Sequence, residues 1–216
     1  FTNKGLIELT NSGSAVLNVT SGTLTNAAGG TINVLAAGAG SRAINAQIDN
    51  QGKIEIDQPL TINKMSAGHT NSGTIDLNAN LTLTQSGTSP SFTNTGTIEI
   101  AYWKSLNVSG GTFNPASGSI SGGGTLSLNG ANAVTFGNGF TLGAVNLNNM
   151  TAATFNDFTL GTLSLNYVGA VTFNTAFDVT TLSMSNVSTV AFKAPFTAGS
   201  VSLTTLAATI PAGSMI

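Results

Sequence analysis

The chain has 216 residues, of which 41% are hydrophobic and 6% are charged, against roughly 25% charged residues in typical soluble domains. This apolar content argues against simple disorder, and a net charge of -2 gives no electrostatic basis for binding nucleic acid. The absence of cysteine excludes disulfides and cysteine-based zinc sites, and no apolar run approaches the roughly 20 residues that a membrane-spanning helix needs.

A nine-residue motif recurs through the first half of the chain and is clearest at residues 92–100, Phe-Thr-Asn-Thr-Gly-Thr-Ile-Glu-Ile. Other copies begin at Phe1, Leu24, Ile48 and His69. The asparagines at the third position are 23, 24, 21 and 23 residues apart: Asn3, Asn26, Asn50, Asn71 and Asn94. Apolar and polar residues alternate with a period of two, which indicates β-strands. A strand-forming repeat of this length predicts a solenoid, in which each coil buries its apolar side against the next.

Glycines and a second apolar pair divide each coil into two or three short strands. A glycine lies two residues after the asparagine in four copies: Gly5, Gly52, Gly73 and Gly96. We expect corners with positive φ at these positions, because only Gly or Asn adopts that conformation cheaply. The second apolar pair recurs at Leu17/Val19, Leu60/Ile62, Leu81/Leu83 and Leu106/Val108.

From about residue 134 the repeat shortens to 18–19 residues and places four apolar columns in register. They are Phe136, Phe155, Phe173 and Phe192; Phe140, Phe158, Phe177 and Phe196; Leu147, Leu165, Met184 and Leu203; and Met150, Val168, Val187 and Leu206. The chain is therefore predicted to be one continuous solenoid with a long-coil section (1–112), a transition (113–133) and a short-coil section (134–216). Leu126 and Leu128 join the sections by aligning with Val145 and Leu147.

The predicted fold is an all-β, right-handed parallel β-helix of about ten coils, with 21–24 residues per coil in the N-terminal part and 18–19 in the C-terminal part. Coils about 4.8 Å apart would make a rod on the order of 50 Å long, with phenylalanine stacks and an asparagine amide ladder inside. A right-handed helix is expected because connections between parallel strands are strongly biased towards right-handed crossovers. A β-sandwich is the main alternative, but its hairpin signals, Asn129-Gly130 and Asn138-Gly139, do not recur once per coil.

Few residues suggest chemistry. An outward acidic column consists of Glu8, Glu55, Asp76 and Glu99, with Asn33 in the second coil. It offers oxygen ligands for Ca²⁺, but a solvated face that Lys4 and Lys53 partly neutralise is the favoured interpretation. His69, the only histidine, replaces an inward apolar residue of the motif and is interpreted as a core residue. No catalytic, cofactor-binding or metal-binding residue is predicted, because the carboxylates are not clustered and no nucleophile or phosphate-loop motif occurs.

Outward threonines form two further columns: Thr135, Thr154 and Thr172, and Thr141, Thr159 and Thr197. Regular threonine columns are typical of ice-binding solenoids. Ala191 and Asp178 interrupt these two, which argues against ice binding.

The candidate contact site is Tyr102-Trp103-Lys104, which holds the only tryptophan of the chain and lies in one of the longer corners. An exposed aromatic ring beside a cation can stack on a sugar or on a partner side chain. Packing of the rings over a coil edge is the favoured interpretation, but this stretch is still the best candidate for a contact site. Arg42 is expected to project from the equivalent corner of another coil and is included in this site.

The string of residues 92–98, and residues 111–115 leading into 118–126, resemble the coils of large bacterial surface β-helices, namely autotransporter passengers and filamentous-haemagglutinin-like exoproteins. The resemblance implies an extracellular or cell-surface rod that attaches to host-surface or matrix carbohydrate or protein, or to copies of itself. A polysaccharide-binding or polysaccharide-degrading module and a filament-forming subunit are the alternatives. Because the chain opens directly on a repeat, we expect it to be a piece of a longer protein.

Overall fold

Alternating apolar and polar residues form short β-strands in a computed structural model that describes residues 1–35, 38, 40–115, 117–137 and 140–209. Within these residues all 20 strands join one sheet, every pairing is parallel, and there is no helix. The sheet winds into about ten coils, which confirms the predicted all-β parallel solenoid. None of the described residues belongs to a helix that could cross a membrane. Asn138-Gly139 and residues 210–216 lie outside the described ranges.

The first six coils carry strands on three faces of the rod. The first face holds the anchoring asparagines, the second face follows the glycine corner, and the third face holds the second apolar pair. The strands of the first five coils are β1 (Thr2–Asn3), β2 (Leu6–Leu9), β3 (Ala15–Asn26), β4 (Thr31–Val34), β5 (Arg42–Asn50), β6 (Lys53–Ile56), β7 (Leu60–Ile62), β8 (Gly68–Asn71), β9 (Thr74–Leu77), β10 (Leu81–Thr84), β11 (Ser91–Asn94), β12 (Thr97–Ile100) and β13 (Ser105–Ser109).

The later strands are β14 (Thr112–Asn114), β15 (Ser119–Asn129), β16 (Val134–Phe136), β17 (Phe140–Phe155), β18 (Phe158–Phe173), β19 (Phe177–Phe192) and β20 (Phe196–Thr209). Most of them are 11–16 residues long and run through corners, whereas β14 and β16 have three residues each. In the hairpin signal Asn129-Gly130, Asn129 ends β15 and Gly130 follows it, and both β15 and β16 pair in parallel with β17. This dipeptide therefore makes a solenoid corner, with Gly130 at a φ of 67°.

The strand register places like residues on like residues. On the second face Ile32, Ile54, Ile75, Ile98 and Ile120 pair in succession. The predicted alignment of Leu126 and Leu128 with Val145 and Leu147 is confirmed, with a register shift between Gly122 and Thr125 where the transition begins. The buried apolar side chains form one continuous cluster that extends from Leu9 to Ala198.

The predicted asparagine ladder is confirmed on the first face. Each amide donates from Nδ2 to Oδ1 of the asparagine in the next coil, at 2.8 Å from Asn3 to Asn26 and at 2.7 Å for the three steps that end at Asn94. Each Nδ2 also donates to a backbone carbonyl of the next coil, for example from Asn50 to Thr74 O at 3.1 Å. Because these amides are buried, the ladder supplies the hydrogen bonds that an apolar interior would otherwise deny them.

The expectation of positive φ at the corner glycines is wrong. Gly5, Gly52, Gly73 and Gly96 all lie outside the positive-φ region. Three of them are instead crowded by the preceding coil: a Cβ on Gly52, Gly73 or Gly96 would lie 2.0–2.2 Å from the backbone oxygen of a glycine in that coil. Close approach between coils, not backbone conformation, is therefore the reason for glycine at these three corners.

The phenylalanine columns are confirmed in the short-coil section. Rings of the first column stack with centroids 4.9, 5.0 and 4.9 Å apart, from Phe136 through Phe155 and Phe173 to Phe192. The second column lies beside the first, as shown by the 4.6 Å contact of Phe173 with Phe177. Both remaining columns are in register as well, since Leu147 pairs with Leu165 and Met150 with Val168.

Candidate contact site

The acidic column lies on the second face, as predicted. Glu55 pairs with Asp76, and Asp76 with Glu99, in successive coils. Lys53 contacts two of these carboxylates, Glu55 at 3.4 Å and Asp76 at 3.1 Å, and its hydrogen bond to Asp76 raises the pKa of its ammonium group. Among the described residues, no group of three or more His, Cys, Asp or Glu side chains is arranged to hold a metal ion. Glu8 and Glu99 are exposed and Glu55 and Asp76 are half-buried, so the column faces solvent, with Lys53 compensating part of its charge.

His69 is a core residue, as predicted, with 3% of its surface exposed. Its Nδ1 accepts a hydrogen bond from the backbone N–H of Ile48 at 3.2 Å. Burial lowers the pKa of the imidazole to about 4, so His69 is neutral at physiological pH. It lines a small cavity, about 20 Å³ in volume, together with apolar residues such as Ile54 and Phe92.

The prediction that Arg42 projects from its corner is wrong. Its side chain is 1% exposed, and all three guanidinium nitrogens donate to backbone carbonyls. The acceptors are Leu9 O at 3.1 Å, Asn11 O at 2.7 Å, Gly13 O and Gly40 O at 2.9 Å, and Ser41 O at 3.3 Å. Arg42 therefore ties two adjacent corners together and is not available for an external contact, which removes it from the candidate site.

Tyr102 and Trp103 are the most exposed large apolar side chains of the described residues, at 74% and 94%. They belong to the turn between β12 and β13, residues 101–104, which is called the aromatic corner below. The turn is closed by the N–H of Lys104, which donates to Ala101 O at 3.1 Å. Trp103 has a φ of 62°, a left-handed conformation that costs a bulky residue roughly 1–2 kcal/mol.

The next coil leaves room for the Tyr102 ring. The ring lies against Gly123, where a Cβ would be 2.3–2.5 Å from three of its ring atoms. Gly123 lies within a run of three glycines, Gly122 to Gly124, and the N–H of Thr125 then donates to Lys104 O at 2.9 Å. The aromatic corner is thus fixed against a side-chain-free backbone shelf.

The corresponding corners of the two preceding coils carry hydrogen-bonding side chains. The exposed amide of Asn78 donates to Asp57 Oδ1 at 2.9 Å, and Asn80 Oδ1 accepts from the backbone N–H of Ser105 at 3.0 Å. The corners of the preceding coils therefore carry polar side chains that are already hydrogen-bonded within the rod. This edge of the rod combines two exposed rings with planar polar groups.

One feature of other corners was missed from sequence. Asn149, Tyr167 and Asn186 occupy equivalent corners, 18 and 19 residues apart, and all have φ values between 52° and 54°. Tyr167 is 59% exposed, so it shares with Trp103 both exposure and a left-handed backbone. The signal was present in the two asparagines, which tolerate this conformation.

The interrupted threonine columns are as predicted. Thr154 pairs with Thr172, and Thr172 with Ala191. Of the four residues proposed for the contact site, Tyr102, Trp103 and Lys104 lie together and Arg42 does not. Comparisons with family models, with curated proteins and with solved structures return no match for this chain.

Proposed function

We propose that this chain is a non-catalytic structural and adhesive segment of a secreted or cell-surface protein, similar in role to the bacterial surface β-helices that its repeats resemble. The observation that carries the proposal is the uniform interior. One apolar cluster runs along the rod, and stacked residues of one kind recur in it from coil to coil. Such an interior stabilises a long, regular rod by the same contacts in every coil.

The outer surface supports the same role. Only 6% of the residues are charged, and the outward positions are mostly Thr, Ser, Asn and Gly. Contact groups are concentrated instead at the aromatic corner, where Tyr102 and Trp103 extend into solvent. A rod on the order of 50 Å is suited to holding such a contact site away from a cell.

Polysaccharide degradation is a second candidate, because consecutive coils present Glu55, Asp76 and Glu99 in register. At a coil spacing of about 4.8 Å, neighbouring carboxylates approach the roughly 5–5.5 Å used by retaining glycosidases. A general acid also needs burial that raises its pKa. Glu99 is exposed, and Glu55 and Asp76 share an ion pair with Lys53, so this candidate is the weaker one.

The test is to expose the purified chain to surfaces coated with host cells, matrix protein or polysaccharide, and to measure both the protein retained and the reducing ends released. We expect retention without release, and a heat-unfolded sample serves as the control for non-specific adhesion. Release of reducing ends that is abolished by Glu99→Gln would replace the adhesive role with the catalytic one. A folded chain that none of the surfaces retains would contradict the adhesive role.

A further inference from the structure

We propose that the aromatic corner is a sugar-stacking platform, and that Tyr102 and Trp103 bind a neutral oligosaccharide. The inference rests on the proposed adhesive function and names its ligand class. Three observations carry it: the backbone conformation of Trp103, the shelf under Tyr102, and the size and polarity of the surrounding surface.

Trp103 contributes little to the fold that would offset its cost. Its backbone has a φ of 62°, where Gly or Asn is more favourable, and its side chain is 94% exposed. The backbone conformation of Trp103 costs stability, and its exposed side chain offsets none of that cost by burial. Strained residues that persist without a packing role are typical of functional sites, where activity opposes stability.

Tyr102 extends the platform with a second ring. Gly123 admits the ring against its backbone, since any Cβ there would meet the ring at 2.3–2.5 Å. Backbone bonds hold the corner on both sides, from Ala101 N to Leu77 O at 3.0 Å and from Thr125 N to Lys104 O at 2.9 Å. The backbone that carries the ring is therefore fixed before any ligand arrives, which lowers the entropy cost of binding.

The size of the surface favours a sugar over a protein partner. Two aromatic side chains bury roughly 300–500 Å² together, whereas a stable protein interface needs about 800 Å² from each partner. A pyranose ring has an apolar C–H face that matches one aromatic ring, and its hydroxyls can bind polar groups on the same edge, where Asn78 lies at the corner of the preceding coil and Asp57 one coil further. The chain has a net charge of only -2, with Lys104 and Asp57 contributing one charge of each sign to this edge, so we infer a neutral glycan.

Trp103 is the only tryptophan, so its fluorescence reports directly on the platform. The probes are soluble gluco-, manno-, galacto- and N-acetylglucosamine oligosaccharides of four to six units, with an oligogalacturonate as the anionic comparison. We expect at least one neutral oligosaccharide to shift the emission saturably. In calorimetry Trp103→Gly should weaken that binding at least tenfold without lowering the thermal unfolding midpoint, because glycine relieves the backbone strain.

Tyr167→Gly is the matched control, because it removes another exposed aromatic residue from a left-handed corner at a different edge of the rod. It should leave the affinity unchanged. A lower unfolding midpoint for Trp103→Gly would assign Trp103 a structural role and overturn the inference. So would a response only to oligogalacturonate that disappears at high salt. If no neutral oligosaccharide binds while the same preparation still adheres to coated surfaces, the sugar platform is wrong and the adhesive function stands.

Discussion

At single residues, the corner glycines illustrate how one residue type can be sterically required in one copy of a repeat and not in another. Gly73 is needed because the preceding coil comes so close that a Cβ would lie 2.0 Å from Gly52 O. Gly5 occupies the same motif position, yet a Cβ there would meet nothing within 4 Å. The repeat pattern is the same at both positions, but the steric demand exists only where a coil lies beneath.

This difference predicts opposite outcomes for the same substitution. Gly73→Ala should lower the free energy of unfolding by about 1–3 kcal/mol, the usual cost of overpacking. Gly5→Ala should leave it unchanged or raise it by about 0.4–1 kcal/mol, because alanine restricts the unfolded chain. Urea unfolding of the two variants beside the parent chain measures both effects. Equal losses in the two variants would show that conformation, not contact, dictates glycine here.

The buried imidazole of His69 makes stability depend on pH. Its pKa is about 4 in the folded chain and about 6.5 when unfolded, so between these values the unfolded state binds more protons. The contribution of His69 to the free energy of unfolding therefore has its full value above about pH 6.5. It is lost progressively as the pH falls to about 4, by about 3 kcal/mol in total.

His69→Phe, which matches Phe92 in the next coil, should remove this component of the pH dependence. The two chains are compared by urea unfolding at several pH values from 4 to 7, and the quantity of interest is the difference in slope. Contributions from groups other than His69 are common to both chains and cancel in this difference. Parallel pH profiles for the parent and the variant would contradict the assignment.

Among the strands, two different ladders stabilise the two parts of the rod. The first face of the long coils stacks amides, from Asn3 to Asn94, and each one satisfies its neighbour. The short coils stack rings, with Phe155 between Phe136 and Phe173 at 4.9 and 5.0 Å. In both cases a side chain interacts with its own kind one coil away, so an element gains stability only from its immediate neighbours.

Removal of one ring should therefore act locally. Phe155→Ala removes a fully buried side chain and should cost about 3–5 kcal/mol. In hydrogen exchange, the amides of β17 and β18 should lose protection while those of β6 and β9, several coils away, keep theirs, because solenoids couple mainly through nearest neighbours. Equal loss of protection in all four strands would indicate a single cooperative unit.

Arg42 shows how the exposure of a corner residue can be misjudged from the sequence of its own corner. In a corner rich in Gly and Ser, a lone arginine is expected to point into water. It is buried instead, because the carbonyls of two adjacent corners converge on its guanidinium group. That convergence depends on the paths of the corner at Asn11 and Gly13 and the corner at Gly40, which lie about 30 residues apart in sequence.

For the whole molecule, the coil period was sufficient to predict the architecture. Stacking in register follows once residues such as Phe136 and Phe155 recur at a constant interval, because the only arrangement that buries all of them places each above the last. The exposure of Tyr102 and Trp103 was not predictable in this way, because the sequence favoured packing of the rings over a coil edge. The left-handed backbone of Trp103 and the fit of Tyr102 to Gly123 were not predictable either.

The sequence by itself determined which side chains face inward and which residues stack, because both follow from a strand period of two and a coil period of 18 to 24. Only the tertiary structure decided how close two coils approach, where Arg42 finds its acceptors, and which ring lies on which glycine. Those features depend on distances between corners that are remote in sequence and vary in length, and a period carries no information about them.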